Sequence, residues 1–562
     1  MSINVHLLIV LLVSFFVSCG NVGDDEVHIT TDTAAINRGK ALFRLHCANC
    51  HKFQTGGIGP ALGGITDSVS VMWMKSFIRN PQAMLDKGDE RSKKMVTLFK
   101  SVMPSFDQLS EIELNDIIAY IHSRKKDSAR HEVNGVADPI TASIELSDVV
   151  IQIEQVAQVP ASSSNGKPPL ARITKLDYLP GTNQLFVVDM RGKLFRLNGK
   201  NADEYLDISR YVKSFVYEPG LGAGFCSFAF HPSFLKNGLL YTAHTEKPGK
   251  VADFNYNDSI PVTYQYVLTE WKASDPYAKV FNGASRELFR IDMVTVQHGI
   301  QEIAFDPFLK PGERGYGLLY VCIGDGGAMD DKHTSLAGSP HMPWGTVFRI
   351  DPAGNDSKNG KYGIPPGNPF AKNSGGLGEV YAYGFRNPHR ISWSAANEGW
   401  VANIGEAHIE SVYELKKGMH HGWPIREGTF RIDPEIDVTK LLPMNAADSA
   451  VPINYPVASY GHEWGYAGIS GGFVYMGKDI PSLQGKYIFG DIPSGKLFYF
   501  DFPPNGAARV KEWRIAVNDT ISTLKSVVGS NRADLHFGRD ESGELYILSK
   551  ANGKIYKLVK LK

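Results

Sequence analysis

The chain has 562 residues, 43% of them hydrophobic and 21% charged, a composition that makes intrinsic disorder an unsuitable default. At roughly 150 residues per domain, this length accommodates more than one domain, although repeated all-β folds can run longer. The 59 acidic residues balance 59 Lys and Arg, so the broad basic field of a nucleic-acid-binding protein is missing and we expect no nucleic-acid partner.

The N-terminus carries a targeting pattern. An apolar run at 7–17 is too short for the roughly 20 residues of a spanning helix and ends just before Cys19. We interpret residues 1–19 as a lipoprotein signal peptide whose Cys19 carries the lipid that anchors the mature chain at a membrane surface. Plain secretion, with Cys19 inside a removed peptide, is the alternative. Both interpretations predict export, and we expect a bacterial cell-envelope protein that faces the periplasm.

Residues 34–125 begin with a helical pattern that runs into Cys-Ala-Asn-Cys-His, the C-x-x-C-H pattern of covalent haem attachment. Two thiols on one helical turn, Cys47 and Cys50, can reach both vinyl groups of a haem, while the imidazole of His51 turns under the iron. A low-spin electron carrier needs a second axial ligand, and we predict Met103, since a thioether opposite an imidazole raises the reduction potential.

Other interpretations of this segment are weaker. Cys47 and Cys50 could form a thioredoxin-like redox pair or half of a zinc site, but neither a βαβ setting nor a second Cys/His pair is present. The haem motif, Met103 and a final helical pattern capped by Ser110 stand in the expected order, and residues 34–125 resemble class I cytochrome c. Four other methionines are rival ligands, although such residues more often pack in cores: Met72, Met74, Met84 and Met95.

The rest of the chain has a different period. Residues 126–145 have few apolar residues and no periodicity, which indicates a linker. Residues 146–562 alternate in short strands rich in Val, Ile, Tyr and Phe, separated by Gly, Pro and Asn turns. We therefore expect a multidomain protein in which a small all-α domain precedes a large all-β domain.

A weak unit recurs in the all-β part: an aromatic residue closes a short strand, and a second strand follows after Gly and Leu. The clearest copies are 227–232 and 302–307. Six copies at uneven intervals predict a radial array of six blades, a β-propeller, with a β-sandwich as the alternative. The poorer copies centre on Tyr178, Trp393, Phe473 and Phe537.

In such an array, the loops that enter the innermost strands meet at one mouth of the central channel. His298 and Arg386 each stand seven residues before the aromatic of their copy, Asn387 follows Arg386, and Arg532 lies near the matching place in the last copy. This mixture suits an anionic planar ligand beside a base. Alternatively, Arg386 and Asn387 bond loop carbonyls and His298 is a satisfied channel residue.

A family resemblance extends this interpretation. The segment Glu-Val-Tyr-Ala-Tyr-Gly-Phe-Arg-Asn-Pro at 379–388, with Gly-Trp-Pro at 422–424, resembles the PQQ-dependent glucose and sorbosone dehydrogenases, and the likeness covers roughly 150–560. The segments 323–327 and 364–370 belong to the same pattern. The resemblance implies a six-bladed propeller, in agreement with the repeats.

The resemblance also implies roles for individual residues. His298 would act as the base that takes the substrate hydroxyl proton while a hydride passes to the quinone. Arg386 and Asn387 match quinone contacts of the family, and Lys496 and Arg532 would add positive charge against the PQQ carboxylates.

Family members bind calcium as well as PQQ. The likeness places one ion at backbone oxygens of the loop 403–406, which includes Gly405 and Glu406, and offers Glu410 to a structural calcium. The sequence departs from the family pattern at several positions near the expected site: Gly222, Ala223, Gln297 and Ser411.

Together these patterns predict a quinohaemoprotein dehydrogenase that oxidises a sugar or an aldehyde/alcohol through PQQ and calcium. The tethered haem c would then pass electrons one at a time towards a respiratory acceptor. The first alternative is a non-catalytic ligand-binding propeller fused to an electron-transfer cytochrome c. A hydrolase or isomerase that uses His298 with calcium is a second, but it leaves the haem without a purpose.

Overall fold

The computed structural model describes residues 28–48, 51–54, 59–99, 102–126, 135–136, 139–164, 166–256, 259–331, 333–372, 375–435, 437–444 and 452–560. The predicted lipidation site Cys19 and the second predicted haem thiol, Cys50, lie outside these residues. In the part of the chain that is described, no helix combines the length and apolar character needed to cross a bilayer.

A helical domain comes first. Its last helix, Glu111–His122, begins with a capping box. The Ser110 hydroxyl accepts a hydrogen bond from the Glu113 N–H, and the Glu113 carboxylate accepts one from the Ser110 N–H. Gly39 in the first helix lies so close to the last that an added Cβ would come within 1.8 Å of the Asp116 carbonyl oxygen. This close crossing requires glycine. The helices are α1 (Thr33–His46), α2 (Val71–Arg79), α3 (Pro81–Asp86), α4 (Glu90–Phe99) and α5 (Glu111–His122).

In the rest of the described chain, the regular secondary structure is mainly β-strand. Its first strands are β1 (Glu145–Gln158), β2 (Ile173–Leu179), β3 (Gln184–Asp189), β4 (Lys193–Asn198) and β5 (Asn201–Asp207). There follow β6 (Phe225–Phe230), α6 (Phe234–Asn237), β7 (Leu239–Glu246), β8 (Tyr264–Ala273), β9 (Gly283–Met293), β10 (Ile300–Phe305), β11 (Leu319–Ile323), β12 (Thr346–Ile350) and β13 (Val380–Tyr383).

The second half of this domain continues the same pattern. It contains β14 (Asn387–Trp393), β15 (Gly399–Ile404), β16 (Ile409–Glu414), β17 (Arg426–Glu427), β18 (Phe430–Asp433), β19 (Asp437–Leu442) and β20 (Ala458–Gly461). The last elements are β21 (Ile469–Val474), β22 (Lys486–Asp491), β23 (Leu497–Asp501), β24 (Lys511–Val517), β25 (Thr520–Ser522), α7 (Leu524–Val528), β26 (Leu535–Arg539), β27 (Leu545–Ser549) and β28 (Lys554–Val559).

Strands that are neighbours in sequence pair antiparallel, mostly in groups of four. Strands β6–β9 form one sheet, β10–β13 another, and β14, β15, β16 and β20 a third, while β17–β19 form a small separate sheet. The groups β2–β5, β21–β24 and β26–β28 with β1 are joined into one 13-stranded sheet. The joins are the parallel pairs of β1 with β24 and of β2 with β26.

The first strands of these groups line the centre. Strands β2, β6, β10, β14, β21 and β26 each contact the next, and β26 contacts β2, so the ring closes on itself. The aromatic residues of the repeating unit all lie in these inner strands: Tyr178, Phe230, Phe305, Trp393, Phe473 and Phe537. The predicted order, a small helical domain before a large all-β propeller, is confirmed.

An ionic cluster is buried among the inner strands. The Glu302 carboxylate of β10 accepts hydrogen bonds from the Lys175 ammonium of β2 and from the Arg390 guanidinium of β14. Although burial raises the pKa of Glu302, the charges of Lys175 and Arg390 outweigh it and hold that pKa below its ordinary value. Glu302 therefore ties three inner strands together across the ring.

Candidate functional site

The haem-attachment motif lies at the end of α1. Cys47 is the C-cap of this helix, and the His51 amide donates to the Cys47 carbonyl at 3.0 Å. The His51 Nδ1 lies 3.0 Å from the Pro60 carbonyl oxygen. Because a carbonyl can only accept, Nδ1 carries the proton and Nε2 is left as the ligating nitrogen.

Gly59 lies directly against the His51 ring. A Cβ on Gly59 would lie 2.5 Å from the His51 Cε1, so glycine is required beside the ring. Phe106, three residues after Met103, packs edge-on against His46 at 5.7 Å, so the loop of Met103 approaches the end of α1. These residues fit a c-type haem, with His51 and Met103 as its predicted axial ligands.

Two of the rival methionines are in unsuitable surroundings. Met74 is only 6% exposed and packs in the helical core, whereas Met72 is 67% exposed on the surface. Met103 is partly buried. Ligation by Met103 stays a prediction.

The predicted base stands at the mouth of the propeller, just before β10. His298 has a left-handed φ of 49°, uncommon for a residue with a Cβ, and Gly324 packs directly against its backbone. Its Nδ1 lies 2.7 Å from Oδ1 of Asp325, a carboxylate that is 1% exposed. This contact orients the ring and places the proton on Nδ1, so Nε2 can accept a proton.

Asp325 also connects His298 to Arg386, through its backbone amide and through Trp423. The Asp325 amide donates to the Arg386 carbonyl at 2.8 Å, and the Trp423 indole N–H donates to Asp325 Oδ2 at 3.0 Å. The Arg386 guanidinium stands over the Trp423 ring, 5.8 Å from its centroid. The structure therefore brings together His298 and Arg386, which are 88 residues apart in sequence.

Two buried polar atoms nearby lack hydrogen-bond partners in the described structure. They are the Asn387 Oδ1 and the Gln297 Nε2. Asn387 is the first residue of β14, and its amide donates to the Asn403 side chain at 3.0 Å. Buried polar groups are normally satisfied, so an unmatched acceptor and donor beside a base and a guanidinium fit a polar ligand. The residues present fit a quinone that carries carboxylates.

Comparison with known proteins agrees with this geometry. Residues 170–557 match the family model described as Glucose / Sorbosone dehydrogenase. The chain belongs to the glucose/sorbosone dehydrogenase family. Residues 36–125 match the model of cytochrome c, so both predicted resemblances are confirmed. The two matches together support an oxidoreductase that carries haem.

The curated relatives of this family member include a named dehydrogenase and a protein that is not named as an enzyme. Hedgehog-interacting protein of Homo sapiens is 27% identical over 390 residues, covering 67% of this chain and 49% of that protein. Quinoprotein glucose dehydrogenase B of Acinetobacter calcoaceticus is 23% identical over 401 residues, covering 67% and 78%. A crystal structure of a glucose dehydrogenase shares the fold at 17% identity and a TM-score of 0.50, covering 72% of this chain and 98% of its own. The chain spans about half the length of several curated relatives that it matches.

The other two predicted quinone contacts pair with acids near them. Lys496 donates to Glu512, and Arg532 lies 3.1 Å from Asp534. Burial lowers the pKa of Lys525, and the charges of Arg532 and Lys496 lower it further, so these cations lie near one another. Their contact with a quinone stays a prediction.

Positive charge extends beyond the predicted residues. Burial first, and then the charges of Arg172, Arg532 and Arg390, lower the pKa of Lys550 to about 8, although Asp534 acts against them. Arg172 stands one residue before β2, as Arg386 does before β14. The loops that enter the inner strands therefore collect cations, which suits an anionic ligand.

The predicted calcium residues do not form a carboxylate cage. Glu406 Oε2 lies 2.7 Å from the Arg386 Nε. The Glu410 carboxylate accepts hydrogen bonds from His462 Nε2 at 2.7 Å and from the Ile469 N–H at 2.9 Å. Among the described residues, no three His, Cys, Asp or Glu side chains are grouped so that they could hold a metal. The side chains here do not fit a calcium site, and ligation by backbone oxygens near Gly405 stays a prediction.

Three residues of this site were not identified from the sequence. Asp325 follows the buried strand β11 in a Gly-Asp-Gly-Gly turn, and an acid in such a turn was the available signal. Trp423 lies in the Gly-Trp-Pro segment that carried the family resemblance. Lys52, whose ammonium lies 3.3 Å from Glu406 Oε1, comes from the helical domain and gave no signal.

Proposed function

We propose that this chain is a quinohaemoprotein dehydrogenase. Its propeller would oxidise a sugar or an aldehyde/alcohol with PQQ, and its covalent c-type haem would receive the electrons. The observation that carries the proposal is the His298–Asp325 pair beside Arg386, in a family member that also contains a cytochrome c domain. An isolated sugar-binding propeller has no need of a haem.

His298 supplies acid–base chemistry in this proposal. Its Nε2 takes the proton from the substrate hydroxyl, and the carboxylate of Asp325 stabilises the positive ring that results. Arg386, Asn387 and Gln297 would hold and orient the quinone, Arg386 through its charge and the two amides through their unmatched polar atoms. When bound, PQQ supplies a two-electron acceptor for the hydride that leaves the substrate carbon.

A second candidate is a propeller that binds a ligand without turnover. The likeness to Hedgehog-interacting protein supports it, because that relative is not named as an enzyme. The pairing of Arg386 with Glu406 also supports it, since the guanidinium is already matched by a carboxylate. This candidate predicts that PQQ neither binds nor restores any oxidation.

The test uses the protein without its N-terminal anchor, reconstituted with PQQ and calcium and presented with a panel of aldoses and aldehydes. We expect substrate-dependent reduction of a soluble dye and of the haem, both lost in His298→Gln. His231→Gln is the matched control, because His231 follows β6, and its Nδ1 accepts the Ser233 amide at 2.9 Å, outside the site. Dithionite reduction of the haem without any reduction by substrate would favour the binding propeller.

The cellular setting is part of the same proposal. We propose a lipid anchor at Cys19, a location in the bacterial cell envelope facing the periplasm, and a respiratory protein as the final electron acceptor. The haem-attachment motif, together with the predicted export signal, supports this setting. Metabolic labelling with a radioactive fatty acid should mark the wild type and not Cys19→Ser.

A further inference from the structure

The haem-attachment motif of the helical domain faces the candidate quinone site. Lys52, the residue after His51, places its ammonium 3.3 Å from Oε1 of Glu406, while Arg386 holds the other oxygen of that carboxylate. The Lys52 and Glu406 side chains are 20% and 4% exposed. The Glu406 carboxylate is thus held by two cations, Lys52 at Oε1 and Arg386 at Oε2.

Lys52 directly follows His51 in the sequence. Because successive Cα atoms are only about 3.8 Å apart, a contact that holds Lys52 also keeps the backbone of His51 close to the propeller. One carboxylate thus links the predicted haem ligand segment to the predicted quinone contact Arg386.

Other contacts surround this one. The Lys167 ammonium pairs with Asp107, four residues after Met103, and the Asn531 amide donates to Gln82 of α3. Lys167 lies before β2 and Asn531 before β26, so both come from loops that enter inner strands, as His298 does. The helical domain is therefore seated on the mouth of the propeller that carries the candidate site.

A fourth loop approaches from the same side. Burial lowers the pKa of His46, one residue before Cys47, and the charges of Glu113 and then of Glu218 act against that shift. Glu218 lies between β5 and β6. The haem-attachment end of α1 thus faces acids of the propeller, whereas Asp107 faces a propeller lysine.

The linker is fastened to the propeller before β1 begins. The Val136 amide donates to the Leu441 carbonyl of β19 at 2.8 Å, and the Ile140 amide donates to Glu463 at 3.2 Å. Val136 and Ile140 also pack on the propeller core. From Lys126 to Gly135 the chain can reach about 30 Å at roughly 3.5 Å per residue, so the helical domain is kept close to this face.

We propose that the docked cytochrome is the positioned electron acceptor of the quinone site, and that Lys52 is the positioning residue the haem domain supplies. This inference rests on the proposed function. Oxidation of the substrate carbinol to a carbonyl releases two electrons and two protons. His298 takes the hydroxyl proton and releases it to solvent. The second proton would be released when the reduced quinone is reoxidised, and the haem would receive the two electrons one at a time, each passed on to a one-electron acceptor such as ferricyanide.

The test separates chemistry from transfer. In Lys52→Glu loaded with PQQ and calcium, we expect the ratio of haem reduction to dye reduction by substrate to fall about tenfold or more below that of the wild type, because two carboxylates then face each other. Lys93→Glu is the matched control, since Lys93 pairs with Glu90 of its own helix at 2.9 Å and makes the same change of charge. A wild-type ratio in Lys52→Glu would overturn the proposal.

Two further measurements keep the inference testable if Lys52→Glu fails to take up haem. Lys167→Glu, on a side chain that is 59% exposed, should slow haem reduction more at low than at high salt, and the swap Lys167→Asp with Asp107→Lys should restore it. Carbodiimide treatment of the unloaded protein should form an amide between Lys167 and Asp107, detected by peptide mapping. If no substrate reduces dye or haem, the proposed function fails, and the cross-link then decides the docking by itself. Absence of the Lys167–Asp107 cross-link would overturn the proposed docking.

Discussion

Replacing Asp325 with Asn tests how the candidate base is held. Asp325 Oδ1 accepts His298 Nδ1 at 2.7 Å and the Gly327 amide at 2.9 Å, while Oδ2 accepts the Trp423 indole at 3.0 Å. An Asn has one oxygen for these positions. If the Asn oxygen faces His298, the Asn NH₂ group faces the Trp423 indole N–H, which is also a donor. If the Asn oxygen faces Trp423, the NH₂ group faces the Gly327 N–H, again a donor.

Either orientation leaves a buried donor unmatched, which costs about 1–3 kcal/mol of folding free energy. The second orientation also requires the other His298 tautomer, with the proton on Nε2, which removes the base. Even the first loses a charge-assisted hydrogen bond worth about 1.5–3 kcal/mol to the protonated ring. At 1.36 kcal/mol per factor of ten, we expect kcat/KM to fall about 10- to 150-fold.

The assay is dye reduction by substrate with the PQQ-loaded protein, together with urea unfolding. Asp306→Asn is the control, since Asp306 is also buried, at 7% exposed, and accepts only the Phe308 amide at 3.0 Å among its described hydrogen bonds. It should leave kcat/KM unchanged. A loss of less than threefold in Asp325→Asn, with normal folding, would refute the argument that this carboxylate prepares His298.

Three other predictions concern stability and the haem. Glu302→Ala leaves Lys175 and Arg390 buried without their carboxylate and should lower the free energy of unfolding by about 3–5 kcal/mol, measured in urea; a loss under 1 kcal/mol would contradict the cluster's role. Met103→His should lower the haem reduction potential, measured by redox titration at the visible bands, and an unchanged potential would exclude Met103 as ligand. Because the folded pKa of Glu406 is about 2, against an ordinary 4.5, its contribution to stability should be complete above about pH 4.5 and lost as pH falls towards 2. Glu406→Gln should abolish that part of the acid dependence in pH-dependent urea unfolding, and an unchanged curve would contradict it.

The parts of the fold that could be predicted are those encoded in local periodicity. The C-x-x-C-H spacing depends on one helical turn, and Cys47, the first residue of the motif, is the C-cap of α1. The repeated aromatics, such as Phe305 and Trp393, mark inner strands because side chains there must fill the space between sheets. Counting back from them led to His298 and Arg386, whose loops the ring then brings together.

The rest depends on tertiary paths that no local pattern records. Asp325 follows the second strand of its group and returns to the mouth only because β11 runs antiparallel to β10. Glu406 looked like a calcium ligand because its loop matched the family, but the neighbouring cations Arg386 and Lys52 engage its carboxylate. Lys52 comes from another domain, and contact between domains leaves no periodic trace in the sequence.

The way the ring closes also sets an order of assembly. Strand β1 leads into the propeller, yet its partners are β24 and β28, whose paired residues follow about 360 to 410 positions later in the chain. The helical domain has a core of its own and can fold as soon as it is synthesised, whereas the mouth of the propeller exists only after the last strands have been made. The helical domain is therefore folded before the surface on which it rests has formed, so the last step of assembly is the docking of a folded domain onto a newly closed ring.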